Sequence, residues 1–286
     1  VSIGCIYALV ALGFVLIYKA TEVVNFAQGE LMMLGAFLAY TFIFILGWNY
    51  WIGAAAAIVC MFFAGNLVDR VFLRPVLGQP QFSIIMVTIG FGYMARSGAT
   101  MVPGWGAETY AISTPFSSEG IQLVPESMGS LVISETDISV IVATIILCIV
   151  LYAFFTHTRL GVAMQASSQN QLAAYYMGIP VKSVFSMIWG ISAAVAAAAG
   201  ILLAPTTLID ANMGFIGLKA FPAAVLGGFG SIPGAVVGGL IIGIIETLAG
   251  FYLPPGFKNV AAYVVLLIVL VVRPQGLFGQ KTGKRV

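Results

Sequence analysis

Three ionisable side chains and one amide stand inside long apolar runs of this sequence: Glu30, Arg96, Glu246 and Asn25. A charge at the centre of a hydrocarbon layer costs about 2.5–3.5 kcal/mol on insertion scales, so such groups face protein or water and pair with one another. Two kinds of chemistry fit them, a polar path with its gate or a set of charge pairs that pin helices together. Glu30 opens an apolar run, where the positive end of a helix dipole favours it. Glu246 lies about one turn from the outer end of another run, placed either to snorkel or to pair with Arg96, which would neutralise both.

Enzyme chemistry is not written in the chain. It contains no GxSxG, no HExxH and no cluster of acids around a nucleophile, and the phosphate-loop look-alike GQKTGKR at 279–285 is one residue short between its glycines and lacks Ser or Thr after Lys. Cys5, Cys60 and Cys148 are isolated and the single histidine, His157, sits at a run boundary, so no metal site is expected. A chain without its own phosphate loop must draw the energy for active transport from a partner or from an ion gradient.

The elements that position these groups are helices in a bilayer. Of 286 residues 60% are hydrophobic and 8% charged, against about 25% charged in a typical soluble domain, too few to cover a water-soluble globule. Apolar runs at 3–18, 30–46, 52–73, 82–101, 138–155, 184–203, 233–249 and 259–272 are long enough to cross the hydrocarbon as helices. They are continuous and rich in Leu, Ala and Met, which argues against the alternating pattern of a β-barrel. The expected fold is an all-α, polytopic transmembrane bundle of about eight or nine spanning elements in one domain over 1–286.

Charge placement orients the bundle. Arg70 with Arg74, Arg159 with Lys182, and the tail at 273–286 with Arg273, Lys281, Lys284 and Arg285 are basic, whereas 102–137 carries Glu108, Glu119, Glu126, Glu135 and Asp137 without Lys or Arg. The positive-inside rule puts the basic segments in the cytoplasm and the acidic one outside. A start outside follows by parity, unless 19–29 makes an additional partial crossing. An odd number of crossings must also lie between 204 and 273, so 218–226, extended back toward Asp210, is needed as an inward element. It ends in a Gly-rich break at 227–234, with Gly227, Gly228, Gly230 and Gly234, which is either a close helix crossing beside a pathway or an ordinary cytoplasmic hairpin. Gly234 with Gly238, and Gly239 with Gly243, put small residues on one helix face for close packing, with the Ala-rich 193–200 segment as a candidate neighbour.

The polar stretch at 156–183 lies between two apolar runs on the cytoplasmic side. Within it the short Ala-rich helix at 172–177 is closed by Gly178 and Pro180. It either docks a partner or lies on the inner leaflet; with Arg159 and Lys182 as its only bases it is poor in the charge a membrane-surface helix carries.

Three segments carry a resemblance. The opening at 4–37, with the motif Asn25-Phe26-Ala27-Gln28-Gly29-Glu30, is similar to the start of the LivH-like permeases of bacterial branched-chain amino acid ABC transporters. The stretch at 158–180, with Arg159, Gly161, Ala173, Ala174 and Gly178, resembles that family's ATPase-docking loop, and 219–246 resembles its late signature. Relatives commonly carry Arg near Gln165 and Asp near Asn170, and this chain has neutral side chains there. The resemblance implies an inner-membrane permease subunit for branched-chain amino acids, or for urea, short amides or small carboxylates, working with a second related permease, two ATP-binding subunits that hold ATP and Mg, and a periplasmic solute-binding protein. It implies a path or gate at Asn25, Gln28, Glu30, Arg96 and Glu246, no cofactor in this chain and no nucleic-acid partner. A gradient-driven transporter or channel is the reading from another class.

Overall fold

A computed structural model describes residues 1–76, 78–106, 108–112, 114–116, 120–122, 132–254 and 256–279. The expected Glu119, Glu126, Lys281, Lys284 and Arg285 lie outside these residues. The elements are α1 (Ser2–Thr21), α2 (Gln28–Tyr40) running into a π turn (Thr41–Ile45), α3 (Tyr50–Val68) running into another (Asp69–Leu73), α4 (Gln81–Met101), a two-stranded antiparallel ribbon of β1 (Gly120–Gln122) and β2 (Val132–Ser134), then α5 (Glu135–His157), α6 (Arg159–Gln169), α7 (Gln171–Tyr176), α8 (Val181–Thr207), α9 (Gly214–Gly227), α10 (Ile232–Tyr252) and α11 (Phe257–Val272). Among the described residues six helices, α1, α2, α3, α5, α8 and α10 with the turns that continue them, are long and apolar enough to cross a membrane; α9 and α11 are shorter. The protein is an all-α polytopic bundle, and each apolar run read from the sequence corresponds to one of its helices.

One end of the bundle gathers α6, α7 and the C-terminal segment. Gln171 on α7 reaches the Ala20 carbonyl at the end of α1, and the backbone N–H groups of Leu277 and Phe278 bond the carbonyls of Leu226 and Gly227 at the α9–α10 turn. The opposite end holds the start of α1, the end of α2 and residues 102–106 and 108–112, where Tyr110 pairs with Ile209 and Trp105 donates to Thr41.

The core is built from two triplets of inverted direction. α1 runs antiparallel to α10, with Gly4 beside Gly243 and Ala8 beside Gly239, and α3 antiparallel to α8, with Gly65 beside Ala193 and Asp69 beside Ser186. α1 packs most extensively on α10 and α3 on α8, while α2 and α9 meet at the centre. Glycine permits each close crossing: a Cβ on Gly239 would strike the Ala8 backbone, one on Gly65 the Trp189 carbonyl, and one on Gly29 the Gly214 carbonyl. Such approach replaces side-chain interdigitation with backbone contact, which is how helices associate where lipid is as apolar as leucine.

The Gly-rich break is a close hairpin crossing. Gly227 and Gly234 face each other backbone to backbone, Gly238 abuts the Ala223 carbonyl, and Ser231 caps α10 by accepting from the Gly234 N–H at 3.0 Å. Gly228, at φ +95, makes the turn against Gln275 and Gly279. Two packing expectations are corrected. Gly230 faces open space, because it lies at the exposed tip of the turn. The Ala-rich part of α8 packs on α2 and α3 instead of on α10, with Ala197 against Gly35 and Ala193 against Gly65, because α1 takes up the small-residue face of α10.

Filling the α1–α10 crossing tests this packing. Gly239→Leu should destabilise the chain by about 1–3 kcal/mol or more, seen as a lowered thermal unfolding midpoint in detergent, while Gly230→Ala should leave the midpoint unchanged.

Candidate functional site

The turn from residue 22 to 27 folds back into the bundle after α1 ends. Thr88, which accepts from the Phe26 N–H at 3.3 Å, lies about 10 Å along α4 from its first residue, and Ser192, beside Gln28, about 16 Å along α8. α2 therefore begins deep inside the bundle. α9 begins at a comparable depth, since Gly214 and Gly217 touch Gly29. Two helix N-termini thus meet in the interior, each with backbone N–H groups that need partners.

In the turn before α2, Asn25 and Thr88 supply two of them, and a row of polar side chains continues from there. Asn25, 1% exposed, accepts from the Ala27 N–H at 3.1 Å and donates to Gln28 Oε1 at 3.2 Å. Gln28, fully buried, donates to the Ser192 carbonyl at 3.4 Å, and the Ser192 hydroxyl lies 3.1 Å from Gln28 Oε1 and 3.0 Å from the Gly13 carbonyl. Gly13 is required here because a Cβ would run into the Gln28 amide. The result is a buried polar row from α1 through α2 to α8.

Glu30 follows, one turn into α2. Its carboxylate pairs with the Arg96 guanidinium at 2.5 Å, and that guanidinium lies 3.8 Å from the Phe215 ring centroid at the start of α9. A Cβ on Gly92 or Gly214 would crowd this carboxylate. The anion thus sits near the positive ends of two helices and against a cation, an arrangement in which the contacts attract. Arg96 Nε is buried without a partner among the described residues.

The expected Arg96–Glu246 pair is corrected by this geometry. Glu246 is 3% exposed and does not snorkel, and Arg96 pairs with Glu30 instead. It accepts from the Tyr7 hydroxyl at 2.5 Å and from Lys219 Nζ at 3.2 Å, and Lys219 also reaches Asn259 at 2.8 Å. Glu246 consequently ties α1, α9, α10 and α11 together. Asn25, Gln28, Glu30 and Arg96 come together; Glu246 stands apart.

Sequence reasoning also missed Ser192, Thr88, Tyr7, Lys219 and a cluster at the α7 end. There Asp69, 2% exposed, accepts from Ser186 at 2.5 Å and from Arg74 at 3.3 Å, and Arg74 also bonds the Lys182 carbonyl at 3.2 Å. One acid at the end of an apolar run with an Arg five residues on was the signal available for it. Ser192, in an Ala-rich run, offered none.

The α6–α7 pair is shaped by caps. Thr158 accepts from the Gly161 N–H and Asn170 from the Ala173 N–H, both at 3.0 Å, so that one residue separates the two helices; Gly178, at φ +83, ends the unit. Gln165 turns inward to the Phe155 carbonyl. The neutral side chains of Gln165 and Asn170 thus bond this chain's own backbone. Gly161 is buried against Phe154 and Phe155, and Ala174 is 4% exposed, so neither offers an outward surface; Arg159, Ala173 and Gly178 are exposed. Beside them Leu172, Tyr175, Tyr176 and Met177 are each about two-thirds exposed or more. A membrane-embedded helical bundle with a polar row at its centre and a capped, apolar-faced helix pair at one end is the arrangement of a transport subunit.

Residues 1–272 match the family described as branched-chain amino acid transport system / permease component. The chain belongs to that family. It is 32% identical over all of its length to the high-affinity branched-chain amino acid transport system permease protein LivH of Escherichia coli, covering 95% of that protein, and equally to BraD of Pseudomonas aeruginosa. A probable branched-chain amino acid transport permease of Methanocaldococcus jannaschii is 29% identical over 95% of the chain. No solved structure matches it. The permease is thus an integral membrane transport component.

Removing one partner of the central ion pair strands the other. Glu30→Gln should cost about 3–5 kcal/mol, measured as a shift in the thermal midpoint, and adding Arg96→Gln should recover a substantial part of the loss. Equal losses in the single and double variants would show that the pair is not coupled.

Proposed function

We propose that this permease forms the membrane path of an ATP-driven importer for branched-chain amino acids, set in a bacterial inner membrane with the α6–α7 end and the C-terminus in the cytoplasm. The observation that carries the proposal is the face of α7: Leu172, Tyr175, Tyr176 and Met177 stand out together at the end that also gathers Arg70, Arg74, Arg159 and Lys182. Large apolar side chains clustered at a water-facing end fit a protein groove better than solvent. Two ATP-binding subunits, which would hold ATP and Mg, dock there, with Arg159, Ala173 and Gly178 at the contact and Gly161 and Ala174 fixing its backing. A second related permease completes the path, and a periplasmic solute-binding protein meets the 102–137 face.

Within the path, Asn25, Gln28, Glu30 and Arg96 act as the gate. The row closes the centre of the bundle where α2 and α9 meet, and polar partners at that depth can be exchanged for those of a solute or of water. Glu246 holds the helices around it. The relatives carry branched-chain amino acids by name, and the same solute class is assigned here.

The test is purification of the tagged chain from its native membrane in mild detergent, with mass spectrometry of what remains bound, alongside uptake of labelled leucine. Two ATPase subunits and a related permease are expected. Replacing Leu172, Tyr176 and Met177 together by Ser should release the ATPases and cut uptake by at least about tenfold without loss of folded permease. Retention of both ATPases and of uptake in that variant would reject α7 as the docking element, and downhill flux by the chain alone would favour a channel or gradient-driven carrier.

A further inference from the structure

At the α7 end a cleft of about 210 Å³ runs from the surface down to Asn25 and Thr88. Its floor is the turn that leads into the buried polar row. Its walls come from the segment after α1, the segment after α3 with Gln79, the first turns of α4, and the start of α8, with Gln171 of α7 contributing as well. The space holds several waters or one small solute.

The lining divides by chemistry. Glu22 brings a carboxylate that has no hydrogen-bond or ion-pair partner among the described residues, and no Lys or Arg lines the cleft. The other carboxylate, Asp69, is already engaged by Ser186 and Arg74. Gln79 and Gln81, both exposed, bring side-chain amides with no hydrogen bond within the chain among the described residues. Ile84, Phe185 and Trp189 supply an apolar wall. Glu22 also adopts a left-handed backbone, φ 57, where its N–H closes α1 on the Tyr18 carbonyl at 2.7 Å. A non-glycine residue held in that region is a cost that the fold bears at this rim.

A free carboxylate, free amide donors and an apolar wall in one small space match the three parts of a zwitterion with a hydrophobic side chain. Its ammonium would meet Glu22, its carboxylate the amide N–H groups of Gln79 and Gln81, and its side chain Ile84, Phe185 and Trp189. A carboxylate lacking an amine would face Glu22 with like charge, and a sugar would leave the apolar wall without a matching surface. We infer that this cleft is a binding site for an amino acid with an aliphatic side chain, entered from the docking end, with Glu22 as the ammonium-binding residue. The inference rests on the importer reading for its choice of solute. Gln171 joins the site to α7, because its side chain lines the cleft and donates to the Ala20 carbonyl at 3.4 Å.

The experiment is equilibrium binding of labelled L-leucine to the full-length permease in lipid nanodiscs, with two competitors of the same carbon skeleton: 4-methylpentanoate, which lacks the ammonium, and isopentylamine, which lacks the carboxylate. Saturable millimolar or tighter binding is expected, weakened about tenfold or more by Glu22→Gln, with isopentylamine the better competitor. Glu22→Asn, which suits the left-handed backbone, should weaken binding likewise, and Gln79→Ala should do so to a smaller extent. The site is overturned if leucine binds both Glu22 variants as it binds the unaltered chain, if 4-methylpentanoate competes as well as leucine, or if no binding is seen at millimolar leucine. Leucine uptake by cells carrying the whole transporter separates the two conclusions. Uptake without Glu22-dependent binding removes the site and leaves the importer standing, whereas Glu22-dependent binding without uptake keeps the site and removes the importer.

Discussion

The interior meeting of α2 and α9 is the constraint around which the rest of the chain is arranged. A helix that starts inside a bilayer exposes N–H groups to a medium without water, and each one left unpaired costs several kcal/mol. Asn25 and Thr88 meet that demand for the Ala27 and Phe26 N–H groups in the turn before α2, while Gln28 and Ser192 bond each other and the Ser192 and Gly13 carbonyls. Gly29, Gly214 and Gly217 let the two helices touch backbone to backbone, so little space is left for solvent between them. The long helices α1, α3, α8 and α10 then enclose the junction in two crossed pairs. Moving the junction would therefore disturb both triplets at once.

Charge is used sparingly and at two kinds of place. Glu30 with Arg96 stands at the junction, where two helix dipoles and an aromatic ring share the work of stabilising it. Glu246 with Lys219 and Tyr7, and Asp69 with Arg74 and Ser186, each connect helices distant in sequence. Buried pairs of this kind contribute little net stability relative to apolar packing, but they penalise any arrangement that separates them. Their value is specificity of helix position. That suits a bundle whose crossings are otherwise smooth Gly and Ala surfaces able to slide.

Much of this was legible before any coordinates. Lipid forces spanning segments to be apolar and helical, so the helices could be read from runs of residues; where charge parity asks for a third element between residues 204 and 273 there is an apolar helix, α9, shorter than the six that are long enough to cross. The partial entry suspected at 19–29 is the inward fold at 22–27. What could not be read was depth and facing. Glu30, Arg96 and Glu246 each announced a partner, but sequence gives no distance across a bundle, and Arg96 was assigned to the wrong acid. Ser192 and Thr88 carry no signal because a hydroxyl in an apolar run is common and is satisfied by its own helix unless a neighbour intervenes. Inverted direction of the two triplets is likewise a property of packing, with nothing in the composition of α1–α3 or α8–α10 to mark it.

The α7 end is linked to the junction by short physical connections. α7 holds the end of α1 through Gln171 and Ala20, and the turn that follows α1 carries Asn25 directly into the polar row. The first turn of α8 is held to the end of α3 through Lys182, Arg74 and Asp69, and α8 carries Ser192 to the same row. Each link begins near α7 and ends in a hydrogen bond to Gln28 Oε1. A displacement of α7 relative to the start of α8 would thus load two hydrogen bonds that converge on one Gln28 oxygen. The polar row is accordingly where the connections from α7 and from the start of α8 converge at the centre of the bundle.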